Sequence, residues 1–283
     1  MSDLDEYYES EQDLEEKVEK LAELIKKSQY IVVFTGAGIS TAAGIPDYRG
    51  PRGVWTCINK GEEPPISKLW DEIQPTLTHM AIKKLVDYDI VKYIISQNTD
   101  NLHLQSGIPI SKISEMHGNG KKEYCSKCKK IFYRSFPVRD PDASKHKTGR
   151  FCEDCGGELF DSIVDFGDKL PQLDLNRAFE HSKKADLVIV LGSSLQVSPT
   201  SEMPLYTLEN DKNPGNLVIV NLQVTPKDQF ASLKIFAESD IVMKLLMKKL
   251  GIHFELWDEL EEQNKQNQTN ESNESNETNE NQK

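Results

Sequence analysis

An open α/β sheet, parallel and covered by helices on both faces, is the fold class the sequence predicts, with a small four-cysteine zinc-binding module inserted into it. Three observations predict it. Four short β-branched runs are apolar on both faces, helical periodicities lie between or after them, and four of the five cysteines form two Cys-x-x-Cys pairs separated by 23 residues.

The elements follow in chain order. Leu14, Val18, Leu21, Ala22 and Ile25 recur at the spacing of one helical face, so the acidic N-terminal segment, residues 1–28, should carry an amphipathic helix that packs on the core. Tyr30–Phe34, Val91–Ile95, Leu187–Leu191 and Leu217–Asn221 read as buried strands. Helical patterns cover Thr78–Tyr88, Asp174–Lys184 and Ile241–Leu250, the last stopping at Gly251 as a C-cap. The body of the fold is therefore expected over residues 29–120 and 162–254, interrupted by a module at 121–161. Beyond it, residues 255–283 are expected to form a disordered tail, because Gln263–Lys283 has no apolar residue with which to offset the entropy of ordering.

Charge is unevenly spread. The net charge is −12, but residues 1–23 hold ten acids and two bases and residues 255–283 hold nine acids and two bases, so the part between is mildly basic. No run of eighteen apolar residues exists, which excludes a helical membrane span. No secretory, transit or lipidation pattern is present, so an intracellular location is expected, and with it reduced thiols.

That expectation bears on Cys125, Cys128, Cys152 and Cys155. Two Cys-x-x-Cys loops can offer four thiolates to the corners of a tetrahedron, as Zn²⁺ prefers. A disulfide pair or a thioredoxin-like redox motif are the rival readings. A reducing compartment disfavours the first, and a lysine-rich loop rather than a strand-to-helix turn disfavours the second. Four thiolates close the coordination sphere, so the zinc should be structural and chemistry must lie elsewhere.

It is sought at the carboxyl ends of the strands, where ligands of open α/β sheets bind. The first strand runs into Thr35-Gly36-Ala37-Gly38-Ile39-Ser40-Thr41, whose glycines suit both a pyrophosphate cradle and an ordinary strand-to-helix turn. The other three strands end in Gln97-Asn98-Thr99-Asp100, Gly192-Ser193-Ser194 and Asn221-Leu222-Gln223. Four such ends side by side would make one polar cleft.

Taken with Ile45-Pro-Asp-Tyr-Arg49, Gly53-Val-Trp55, Leu102-His103 and Met116-His117-Gly118, these motifs occur in the order found in sirtuins. The chain resembles that family over about residues 14–254, and Pro46-Asp47-Tyr48-Arg49 running straight into Gly50-Pro51-Arg52 is similar to its class IV, nuclear branch. The resemblance implies a Rossmann-like NAD-binding domain, NAD⁺ as co-substrate, one structural Zn²⁺, and NAD-dependent protein-lysine deacetylation yielding nicotinamide, free lysine and O-acetyl-ADP-ribose. It implies His117 as general base, with Asn98 and Asp100 at the ribose. Asp47, Tyr48 and Arg49 would close over the nicotinamide end. Gly36, Ala37, Gly38, Thr41, Trp55, Gln97, Gly192, Ser193, Ser194, Asn221, Leu222, Gln223 and Ser239 would complete the cofactor site. Ile163–Asp168 is similar to the strand that pairs with the acyl-lysine peptide, which makes Val164, Phe166 and Gly167 the substrate positions. The chain departs from the family at Asn101, where glycine is common, and has Ser193 where threonine is common.

Acylated-lysine proteins, histones among them, are the expected partners, the nucleus is the favoured location, and a monomer is expected. Two other classes stay open at this point. A mono-ADP-ribosyltransferase would use the same cofactor, and a chromatin adaptor would meet nucleosomes or nucleic acid through the ten lysines and arginines of the zinc module.

Overall fold

The computed structural model describes residues 5–65, 72–140, 145–209 and 214–262. Six parallel strands form the main sheet: β1 (Ile31–Thr35), β2 (Val91–Ser96), β3 (Ile113–Glu115), β8 (Leu187–Leu191), β9 (Asn216–Val220) and β10 (Leu233–Ile235), in the order β10-β9-β8-β1-β2-β3. Four of them are the runs expected from the sequence. β3 and β10 have three residues each, too few for periodicity to register, and they sit at the two edges.

Alternation along each strand divides the core in two. Ile31 and Val33 of β1 pack with α1 (Glu11–Lys27), α3 (Leu77–Asp87) and α6 (Ser239–Leu250) on one face. Val32 and Phe34 pack on the other, with α5 (Gln172–Lys184) and the 3₁₀ stretch Thr200–Glu209. Two short helices, α2 (Val54–Lys60) and α4 (Leu102–Gln105), belong to the connections after β1 and β2. Both faces being covered is why the strands read as unbroken apolar runs. α1 buries Val18, Leu21, Ala22 and Ile25, the stripe read from the sequence, and Ser10 caps it by accepting from the Asp13 amide. α6 stops as expected at Gly251, whose left-handed backbone (φ 68°) lets its N–H bond the Lys248 carbonyl.

The inserted segment forms its own antiparallel sheet from β4 (Lys122–Cys125), β5 (Ile131–Tyr133), β6 (Lys147–Phe151) and β7 (Glu158–Asp161), ordered β5-β4-β7-β6. Among the described residues its buried apolar cluster is small, with Cys125, Cys152 and Leu159 buried and Phe132 and Cys155 partly covered. A core of that size holds little without a metal.

One expectation needs correction. Disorder does not begin at 255: residues 257–262 are helical, and Leu256, Trp257 and Leu260 supply the apolar side chains that the rest of the tail lacks. The expected disorder of Gln263–Lys283 lies outside the described residues. Ile163–Asp168, the segment expected to pair with a peptide, is an extended stretch that ends in a turn closed by the Asp168 amide on the Asp165 carbonyl at 3.0 Å. Among the described residues, no helix is long and apolar enough to cross a membrane.

Candidate active site and zinc centre

Because the sheet is parallel, the loops leaving β1, β2, β8 and β9 all emerge on one edge. Backbone bonds fix their spacing: Gly36 N–H donates to the Leu191 carbonyl at 3.1 Å, Gln97 N–H to Thr35 at 2.9 Å, and Gly192 N–H to Val220 at 3.0 Å. Gly192 can only be glycine. Its φ is +60°, and a Cβ there would lie 2.6 Å from the Ile39 nitrogen and 2.8 Å from the Gly38 Cα. The close approach of these two loops is itself hydrogen-bonded, Gly38 N–H donating to the Gly192 carbonyl at 2.8 Å.

A cavity of about 730 Å³ opens at this edge. It is lined by Gly36, Ala37, Gly38, Asp47, Tyr48, Arg49, Trp55, Gln97, Asn98, Asp100, His117, Gly192, Ser193, Ser194, Asn221 and Gln223, and by Val164, Phe166 and Gly167 on the far wall. Residues from both ends of the folded chain thus meet in one cleft. Three expected members do not line it. Thr41 is exposed and spends its hydroxyl on the Gly38 carbonyl at 3.1 Å; the Leu222 carbonyl receives the Tyr7 amide at 2.9 Å; Ser239 is buried at the first turn of α6.

Two residues that sequence reasoning misses take part. Ser40, fully buried, donates to Asp100 Oδ2 at 2.7 Å and receives Asn98 Nδ2 at 3.3 Å. A polar residue inside a glycine-rich turn is the signal available for it. Thr200 places its hydroxyl 3.4 Å from His117 Nε2, and it comes from the 3₁₀ stretch, where no strand end points to it. The Asp100 carboxylate also accepts the Leu102 amide at 2.9 Å; burial pushes its pKa up, and these hydrogen bonds oppose that. The Asn98 Oδ1 atom is buried with no hydrogen-bond partner among the described residues. A buried acceptor in that condition costs about 1–3 kcal/mol unless a ligand donates to it, and a ribose hydroxyl would. The donor set therefore fits a dinucleotide.

His117 follows β3 and has its Nδ1 3.1 Å from the Gln97 carbonyl. A carbonyl can only accept, so Nδ1 carries the proton and Nε2 keeps its lone pair, with the Thr200 hydroxyl 3.4 Å away as its donor. Burial lowers the imidazole pKa, which keeps that lone pair unprotonated at neutral pH. On the outer rim, the rings of Tyr48, Trp55 and Phe166 form a chain with centroids 6.1 Å apart at each step.

Beneath the site lies a second, wholly buried pair of histidines. His103 Nε2 is 2.9 Å from Thr35 Oγ1, and its ring meets His79 edge-on at 4.9 Å. Burial pushes His103 down to about 3 and His79 well below its ordinary range, with the charge of His103 adding to the latter. The folded protein thus binds fewer protons than the unfolded chain, whose histidines titrate near 6.5. Stability is full above that value and is lost as pH falls below it, by about 2 kcal/mol at pH 5 from His103 alone. Thermal unfolding followed between neutral pH and about pH 5 should show that loss, and His103→Gln should reduce it while His79 still contributes. An unchanged midpoint over this range would contradict the assignment.

The four cysteine sulfurs lie within 4.8 Å of one another, with Cys125–Cys155 at 3.5 Å and Cys128–Cys152 at 3.7 Å. Four thiolates at zinc bonding distance stand about 3.8 Å apart, so the cluster is of the right size for zinc. The amides of Lys127 and Cys128 point at Cys125 Sγ at 3.3 and 3.4 Å, and a Cβ on Gly157 would meet that sulfur at 2.7 Å. The turn after the second pair therefore requires glycine. With all four positions filled by protein, the centre is structural.

Comparison with known proteins agrees with this geometry. A sequence profile described as "Sir2 family" matches residues 64–199. "NAD-dependent protein deacetylase SRT1" of Oryza sativa subsp. indica is 45% identical over 250 residues, covering 87% of this chain and 51% of that protein. The chain thus spans about half the length of that relative. "NAD-dependent protein deacetylase Sirt6" of Drosophila melanogaster is 43% identical over 266 residues, covering 91% of this chain and 82% of the fly protein. Among solved structures, "Sir2-p53 peptide-NAD+" is 34% identical with a TM-score of 0.65, covering 84% of this chain and 100% of that one. With the parallel sheet, the four-cysteine centre and a relative matched over most of its length, this chain belongs to the Sir2 family.

Proposed function

We propose that the protein is an NAD-dependent protein-lysine deacetylase, or more broadly a deacylase. The observation that carries this reading is His117, held by the Gln97 carbonyl so that Nε2 is the unprotonated nitrogen, in the same cavity as Asn98 and Asp100. A general base must be neutral, oriented and within reach of its proton, and Gln97, burial and the loop after β3 supply each of these.

The roles follow from placement. The turn of Gly36, Ala37 and Gly38 would lie against the pyrophosphate, with the Ala37 amide as its donor, because the Gly36 and Gly38 amides are given to the Leu191 and Gly192 carbonyls, and Asn98 would take the ribose next to nicotinamide. Asp47, Tyr48 and Arg49 would cover the nicotinamide end. Burial raises the Asp47 carboxyl, which accepts the Gly50 amide at 2.8 Å and so fixes the turn that carries Tyr48 and Arg49. The substrate's acyl oxygen would form a bond to the ribosyl carbon as the bond to nicotinamide breaks. His117 would then take the proton of a ribose hydroxyl as that oxygen bonds the acyl carbon. The lysine amine would leave the acyl carbon with the proton that His117 took, and water would add there, its oxygen becoming the acyl carbonyl as the bond to the original acyl oxygen breaks and that oxygen stays on the ribosyl carbon. The Asp100 carboxylate, oriented by Ser40 and Leu102, would oppose the positive charge that develops at the ribosyl carbon.

Val164, Phe166 and Gly167 would meet the peptide. The Val164 amide already donates to the His117 carbonyl at 3.0 Å, so backbone pairing would use other groups of the segment. Phe166, 75% exposed, is free to cover the lysine stem. Histones and other nuclear proteins are the substrates we favour, on the likeness to the nuclear branch, with the protein acting as a monomer. The zinc module lends little support to binding nucleic acid. Lys122, Lys130, Arg134, Arg139, Lys147 and Arg150, six of its ten bases, are already paired with Glu115, Asp154, Glu123, Asp165, Glu158 and Glu123. The test is nicotinamide release by purified protein with NAD⁺, with and without an acetyl-lysine histone peptide. Release that requires the acetyl group supports the reading; release indifferent to it would sink the reading.

A further inference from the structure

Three hydrogen bonds lace the loop after β2 to the loop after β3. His117 Nδ1 donates to the Gln97 carbonyl, Gly120 N–H to the Thr99 carbonyl at 2.7 Å, and Asn119 Nδ2 to Asn101 Oδ1 at 2.8 Å. The first loop carries Asn98 and Asp100, and the second carries His117. Only the third bond joins two side chains, and it depends on a residue type that departs from the family pattern.

Asn101 has φ +69° and ψ 4°, a left-handed conformation that glycine adopts freely and asparagine tolerates. Glycine at this position would satisfy the backbone but offer no acceptor. Asparagine does both. Its partner Asn119 is 1% exposed, and every polar group it has is engaged. Its N–H donates to Ser162 Oγ and its carbonyl accepts from the same hydroxyl, each at 3.0 Å. Its Oδ1 accepts the Lys121 amide at 2.8 Å, and Nδ2 also donates to Glu115 Oε1. Glu115 is itself buried and bound by Lys122 at 3.1 Å. The orientation of the Asn119 amide is thereby fixed, because flipping it would turn Oδ1 toward a carboxylate and a second carbonyl oxygen.

Asn119 thus touches three segments at once: the cofactor loop through Asn101, the base loop to which it belongs, and the substrate wall through Ser162. Neither it nor Asn101 lines the cavity. We propose that Asn119 and Asn101 are a pair of positioning residues that set the placement of Asp100 and Asn98 relative to His117. This rests on the deacylase reading for its consequence, since it couples the group at the ribosyl carbon to the base that acts in the following step.

The experiment compares Asn101→Gly, Asn119→Ala and the double variant of the full, zinc-loaded chain. Asn101→Gly keeps the backbone conformation and removes only the acceptor. It should lower kcat for O-acetyl-ADP-ribose formation about tenfold, as expected of a small misplacement between reacting groups. The KM for NAD⁺ and the rate of nicotinamide exchange should change far less, so the ratio of exchange to deacetylation rises. The double variant should be no slower than Asn119→Ala alone, because one bond is lost in all three. A readout independent of turnover is the ¹⁵N NMR spectrum of the His117 ring. The tautomer with the proton on Nδ1 should lose population in Asn101→Gly as the bond to Gln97 loosens. Three results would each overturn the proposal: wild-type partition with an unchanged His117 tautomer, equal loss of both half-reactions with a lowered melting temperature, or additive losses in the double variant. A wild-type protein that consumes no NAD⁺ would instead refute the functional reading, while the His117 tautomer would still decide whether the two loops are coupled.

Discussion

His117→Tyr is expected to lower formation of O-acetyl-ADP-ribose by about a thousandfold, within the roughly 10²–10⁴ range that a positioned general base contributes. The loss should be confined to chemistry. His117 is not part of either large apolar cluster, and its side chain meets only the Gln97 carbonyl and, at 3.4 Å, the Thr200 hydroxyl among the hydrogen-bonding groups described. The melting temperature, zinc content and NAD⁺ binding should stay near wild type. In the wild type, activity should fall with acid only below 6.5, because burial lowers the pKa of the imidazole that must be neutral. Measuring product by mass spectrometry in both proteins checks the first part, and a pH profile of kcat/KM the second. A His117→Tyr variant retaining about a tenth of wild-type turnover would remove His117 from the role of base.

Loss of the zinc centre should have the largest effect on structure. Zinc binding contributes on the order of 10–16 kcal/mol in small modules, comparable to the whole stability of a domain. Here the buried cluster of the second sheet consists largely of the ligands themselves. Cys152→Ser is expected to abolish stoichiometric zinc and to lower the melting temperature by more than about 10 °C. Activity should go with it, although the metal has no open position for substrate. The reason is geometric: Gly120, Lys121 and residues 163–168 flank the module on either side and line the cavity. Metal analysis, near-ultraviolet circular dichroism and thermal unfolding of the variant decide the matter. A variant that is metal-free yet unfolds at the wild-type temperature would show that zinc does not hold this sheet.

How much of this is legible in the chain depends on how local each feature is. The four long strands can be read because both their faces are buried, and α1 because its stripe spans several turns. β3 and β10 cannot, since three residues at a sheet edge carry no periodicity. The zinc ligands are legible because metal geometry imposes a spacing on sequence. The cavity residues at strand ends become legible once the strands are placed, as a parallel sheet gathers those ends on one edge. Thr200 and the buried His79–His103 pair do not, because their roles arise from packing between segments distant in sequence. Asn101 shows a third case. Its departure from glycine is visible in the chain, but its meaning comes only with its left-handed backbone and its bond to Asn119.

Acyl transfer to ADP-ribose is decided by the identity of the products. Purified protein would be incubated with NAD⁺ and an acetylated histone peptide or nucleosome, and every product assigned by mass. Nicotinamide, deacetylated lysine and O-acetyl-ADP-ribose should appear in equal amounts, with about a thousandfold less of the last from His117→Tyr. ADP-ribose attached to protein, with the acetyl group still on lysine, would contradict it and make the protein a transferase of ADP-ribose instead.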